Sequence, residues 1–96
     1  MNDALNGESQ ARAAIDEYRA AIDELDDKIL ALLNERAGHS LAIRALKPAC
    51  GMELFDPSRE NRIFERLESR NAGPMHAEDV HEIYAALLKV MMGIRV

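Results

Sequence analysis

From Ile15 to Leu46 the chain repeats apolar residues at alternating steps of three and four: Ile15, Tyr18, Ile22, Leu25, Ile29 and Leu32. The same count continues through Arg36, His39, Ile43 and Leu46. That spacing is one stripe along one long helix. Leu30, Leu33, Ala37 and Leu41 widen the stripe. The pattern predicts a first helix from about Ser9 to Leu46 or Lys47, stopped by Pro48, which lacks a donor and bars the preceding residue from the helical region. A loop, PACGMELF, follows. Asp56-Pro57 then reads as a helix start, with Asp as N-cap and Pro at the first helical position. The second helix runs to about Arg70 with Ile63, Phe64 and Leu67 inward, and the breaker Asn71-Ala72-Gly73-Pro74 ends it. A third helix starts near Ala77 and carries Val80, Ile83, Tyr84, Leu87, Met91 and Ile94 on one stripe.

The fold class is therefore all-α, with one long and two shorter helices. A first helix of about 36 residues is about 54 Å long. A domain of this size is only about 32 Å across. Two short helices cannot cover so long a stripe. A second copy of the chain is the simplest cover, and two-fold pairs are the commonest assembly. The pattern predicts an intertwined homodimer.

Composition narrows the function. The 96 residues are 48% hydrophobic and 30% charged, which suits one globular domain over 9–96, with residues 1–8 expected as a flexible tail. No apolar run approaches the roughly 18–20 residues of a membrane span, and MNDALNGESQ does not read as a secretory signal. A lone cysteine, Cys50, fits a reducing cytoplasm. A net charge of −5 argues against nucleic-acid binding, though a local basic pocket remains open. His76 and His81 do not share a helix face, so no metal site is expected. No nucleophile, nucleotide or zinc motif is present.

The charges that interrupt the pattern carry the chemistry. Arg36 stands where the stripe asks for an apolar residue. A guanidinium cannot shed its proton, and burying it unpaired is costly. Either the stripe opens to water there, or an anion meets it. Lys47, eleven residues on, lies only about 20° around the axis from Arg36 and about 16 Å along it. Two such cations suit a small anion with more than one acidic group. Arg19 is about 25 Å from Arg36 along the helix and about 100° around it, within reach of that patch only from a partner chain. Asp56, Arg59 and Glu60 cluster at the start of the second helix, where free backbone N–H groups also point outward. Taken singly, Arg36 is a snorkelling side chain and Asp56 a cap.

Together these segments resemble the all-helical chorismate mutase family. The resemblance runs from about Arg19 to Ile94 and is carried by RAAIDELDDKILALLNER (19–36), the lysine of IRALK (43–47), DPSRE (56–60), IFERL (63–67) and NAGP before the third helix. It implies an intertwined dimer that rearranges chorismate to prephenate in aromatic amino-acid biosynthesis, the shikimate route, with no cofactor or metal. By matching positions, Arg36 and the partner protomer's Arg19 hold the substrate carboxylates. Lys47 reaches a carboxylate and the ether oxygen. Glu60, helped by the backbone at Asp56, accepts from the ring hydroxyl. Arg59 lines the pocket.

The resemblance departs at the third helix. The family usually has a small polar residue where Met91 is counted. It usually has glutamine or glutamate, donating to the ether oxygen, where Arg95 is counted. Arg95 would supply that donor with full charge, and Met91 would line the site. Pro48 directly after Lys47 is also unusual. Two alternatives stay open. One is an isochorismate pyruvate-lyase or a 4-amino-4-deoxychorismate mutase on the same fold. The other is a helical dimerisation module without catalysis.

Overall fold

The computed structural model describes residues 3–95. Helix α1 spans Asp3–Leu46, a short 3-10 turn spans Lys47–Cys50, α2 spans Pro57–Arg70 and α3 spans Ala77–Gly93. Among the described residues there is no strand. The helices end where the local chemistry says. Pro48 occupies the first turn of the 3-10 segment and terminates α1. Asp56 caps α2, its Oδ1 accepting from Arg59 N at 3.0 Å, with Pro57 as the first helical residue. At α3, Asp79 Oδ2 accepts from His76 N at 3.2 Å.

Helix α1 begins earlier than the expected Ser9. Of the residues expected as a tail, 3–8 are helical, and Met1 and Asn2 lie outside the described residues. Gly7 is the weakest helix former on the way in, at a cost of only about 1 kcal/mol. Glu8 pairs with Arg12 one turn on at 2.9 Å, in the favourable acid-first order.

The chain divides into two units, Met1–Arg36 and Ala37–Val96. The first is helical throughout its described residues and has no apolar core. Its stripe lies open: Ile15, Tyr18, Ile22, Leu25, Ile29 and Leu32 are all exposed, as is Leu30 beside them. A lone helix has no other element of its own on which to fold that face.

The second unit holds the core. Ile63 from α2 and Leu88 and Met91 from α3 are buried, with Phe64, Leu67, Val80, Tyr84 and Leu87 half-buried. Phe64 stacks on His81 with ring centres 4.2 Å apart. The expected inward stripe of α3 needs one correction: Ile83 is 54% exposed and Leu88 takes the inward place. Around the helix, Leu88 lies about 60° from Met91 on one side and Ile83 about 80° on the other. Helix α3 is apolar on most sides, so its pattern alone does not choose between them. Two left-handed glycines shape the loops: Gly51 (φ 68) closes the 3-10 turn and Gly73 (φ 78) sits between α2 and α3, before the cis Pro74.

Candidate active site

The site residues expected from the sequence divide between the two units. Arg19 and Arg36 belong to the first, Arg19 exposed and Arg36 half-buried. Lys47, Asp56, Arg59, Glu60, Met91 and Arg95 belong to the second.

Within the second unit, Lys47 links two of the expected segments. It is half-buried, and its Nζ donates to Leu54 O at 2.8 Å. That carbonyl lies two residues ahead of the Asp56 cap. The 3-10 turn makes this reach possible. Pro48 forces the chain out of the α-helix. Gly51 N then bonds Pro48 O at 3.2 Å and Met52 N bonds Lys47 O at 3.0 Å, folding the segment back. An ammonium has three donors, so two remain for another acceptor. The proline after Lys47 thus ends the helix directly at the lysine.

The first turn of α2 holds Asp56, Arg59 and Glu60 in one local framework. The Asp56 side chain accepts from Arg59 N, and the Asp56 carbonyl accepts from Glu60 N at 3.2 Å. Asp56 and Glu60 are half-buried and Arg59 is exposed. A carbonyl has a second lone pair, so the Asp56 backbone and the Glu60 carboxylate are two acceptors on adjoining turns. At the far end of α3, Met91 is buried at 7% exposure and Arg95 is exposed beyond the helix.

One residue of this region escaped the sequence pattern. Arg44 donates to three backbone carbonyls at the end of α3: Ile94 O at 2.6 Å, Met91 O at 2.8 Å and Met92 O at 2.9 Å. The signal for it was in α3, whose last turn carries no basic residue to meet its own carbonyls.

A groove of about 330 Å3, lined by Phe64, Leu67, Val80 and His81 with Glu68 and Glu78 at its edge, holds none of the expected substrate residues. Its acidic rim is the wrong sign for an anion. Among the described residues, no group of three or more His, Cys, Asp or Glu is placed to hold a metal, and no helix is long and apolar enough to cross a membrane.

Comparison with known proteins gives the arrangement its context. The chain is 35% identical over 77 residues to a bifunctional chorismate mutase/prephenate dehydratase of Neisseria gonorrhoeae, covering 80% of this chain and 21% of that protein. It is 44% identical over 59 residues to an intracellular chorismate mutase of Mycobacterium bovis, covering 62% of this chain and 56% of that one. The chain thus spans from about a fifth to just over half the length of these two relatives. A solved chorismate mutase (form II) from Thermus thermophilus superposes with a TM-score of 0.81 at 28% identity, over 83% of this chain and 91% of that one. The model of the family described as chorismate mutase type II matches residues 18–94, which takes in Arg19, Arg36, Lys47, the DPSRE turn and Met91, and by that match the chain belongs to this family.

Proposed function

We propose that this protein is a chorismate mutase, an isomerase that converts chorismate to prephenate, and that it works as an intertwined homodimer in a reducing cytoplasm. The observation that carries the reading is Lys47, inside the family match, held by Leu54 O beside the turn that presents Arg59 and Glu60. The open stripe of the first unit supports the dimer. Seven large apolar side chains at 47–72% exposure, from Ile15 to Leu32, need a cover of matching length. A second α1 has that length.

In this reading Arg36 and the partner protomer's Arg19 take the two carboxylates of the substrate. Lys47 turns its remaining donors to a carboxylate and to the ether oxygen. Glu60 and the Asp56 carbonyl accept from the ring hydroxyl. Arg59 adds positive charge, Met91 lines the wall, and Arg95 stands near the ether oxygen as a charged donor. Arg19, Arg36, Lys47 and Arg59 against Asp56 and Glu60 leave a local balance of +2, and Arg95 raises it to +3, opposite in sign to a dianion, within a chain of net charge −5.

The reaction suits such a site. The substrate's flexible enolpyruvyl arm must fold over its ring before the new bond forms. Clamping both carboxylates fixes that geometry and removes part of the entropic barrier. As the ether bond breaks, negative charge grows on its oxygen. A preorganised cation away from water stabilises that charge, and removing one such donor typically costs about 3–4 kcal/mol. No covalent step or proton transfer is needed, in keeping with a pocket of cations and acceptors.

The test is to incubate purified protein with chorismate and, separately, with isochorismate, and to identify the products. The proposal expects prephenate from chorismate. Pyruvate release from isochorismate, with chorismate untouched, would assign the protein to the lyase chemistry instead. Turnover of neither calls for a third assay with 4-amino-4-deoxychorismate; its rearrangement would assign the amino-analogue mutase, and no turnover of any of the three would leave the helical dimerisation module.

A further inference from the structure

The C-terminal end of α3 poses a local problem. The last four carbonyls of any helix lack partners within it. Many helices meet this need with a left-handed glycine just past the end or with a basic side chain in the last turn. Helix α3 has neither. Its last turn holds no basic residue, and its C-cap Ile94 is extended (φ −62, ψ 133). The glycines with positive φ are Gly51 and Gly73, so Gly93 does not serve.

Arg44 of α1 supplies what α3 lacks. Its planar guanidinium, half-buried, spans Met91 O, Met92 O and Ile94 O at 2.8, 2.9 and 2.6 Å. It also brings a full positive charge to the negative end of the helix dipole. Arg44 stands one helical turn before Lys47, which makes the same kind of bond to Leu54 O. The last turns of α1 therefore fix two other segments of the second unit: Lys47 the entry to α2, Arg44 the exit of α3.

We infer that Arg44 is a positioning residue for the rearrangement, holding the end of α3 so that Met91 and Arg95 form a wall of the pocket in register with Lys47. The inference rests on the reading under Proposed function. Arg44 itself need not touch substrate. Its three partners are backbone atoms at Met91, at its neighbour and at the residue before Arg95.

The test compares Arg44→Met and Arg44→Lys with the unaltered protein, well below the melting temperature and per folded molecule as measured by circular dichroism. A shift of about 1 Å in a catalytic group costs up to about 100-fold in rate. Arg44→Met is therefore expected to lower kcat by about 10- to 100-fold. KM should change far less, because the carboxylate-binding arginines are untouched. Amide hydrogen exchange over residues 92–95 should accelerate. Arg44→Lys keeps the charge and should recover part of kcat. If Arg44→Met does not fold, Arg44→Lys decides alone: a reduced kcat at near-normal melting temperature supports the inference, and an unchanged kcat overturns it. A lower melting temperature with kcat unchanged would show a merely structural cap and also overturn it. If the unaltered protein fails to turn over chorismate, the proposed function fails and takes this inference with it. An active parent with an equally active Arg44→Met variant overturns the inference alone.

Discussion

Replacing Ile22 and Leu25 together by aspartate should separate the proposed dimer without disturbing the core of the single chain. Both side chains lie on the open stripe of α1, at 53% and 54% exposure. Neither is part of the Ile63, Leu88 and Met91 core. Full burial of such a side chain is worth about 1.5–3 kcal/mol, and about half of that surface remains to be covered, so a partner gains roughly 0.8–1.5 kcal/mol from each. A symmetric dimer loses both residues twice, about 3–6 kcal/mol in all. That weakens the dimer roughly 10²- to 10⁴-fold at about 1.4 kcal/mol per decade. Burying the new carboxylates adds to the loss. Sedimentation equilibrium at micromolar concentration should find the unaltered protein at twice the 10.7 kDa chain mass and the variant at the chain mass. Helical circular dichroism should fall with it, since an uncovered helix of this kind is only marginally stable in water. A parent that is monomeric at these concentrations, or a variant that stays dimeric with unchanged affinity, would refute the reasoning.

Two further substitutions probe the site. Lys47→Met should lower kcat by about 10²- to 10³-fold, the usual consequence of losing a preorganised donor at a developing charge, while sedimentation still finds a dimer. Asp56→Ala removes the acceptor for Arg59 N and should cost about 1 kcal/mol in urea unfolding. Asp56→Ser, which can still cap, should recover most of that stability.

The parts of this molecule written in local chemistry were legible in its sequence. Pro48 ends α1, Asp56-Pro57 opens α2, and the Asn-Ala-Gly-Pro stretch separates α2 from α3, because each signal acts on its immediate neighbours. The first residues of α1 were harder to read. Nothing between Asp3 and Ser9 forces a helix, but nothing there stops one either. The choice of Leu88 over Ile83 depends on where a neighbouring element sits, which a helix that is apolar on most sides does not encode. Arg44 was hidden for another reason. Its partners are backbone carbonyls 47–50 residues away, and the missing basic residue in the last turn of α3 signals a need without naming the side chain that meets it. The candidate site residues were singled out by spacing and resemblance, and their roles belong to the proposed function. Their assembly across two copies was inferred from an uncovered stripe.

In the proposed dimer Arg36 of one protomer and Arg19 of the other meet on one substrate. Mixing inactive Arg19→Ala and Arg36→Ala chains tests that arrangement. In a mixed dimer one pocket receives both altered residues and the other receives none. After unfolding and refolding an equal mixture, half of the dimers are mixed, so chorismate turnover should return to about a quarter of the unaltered level. If the two arginines serve the same pocket from one chain, every pocket in the mixture is damaged. Turnover that stays at the level of the separate variants would contradict the account.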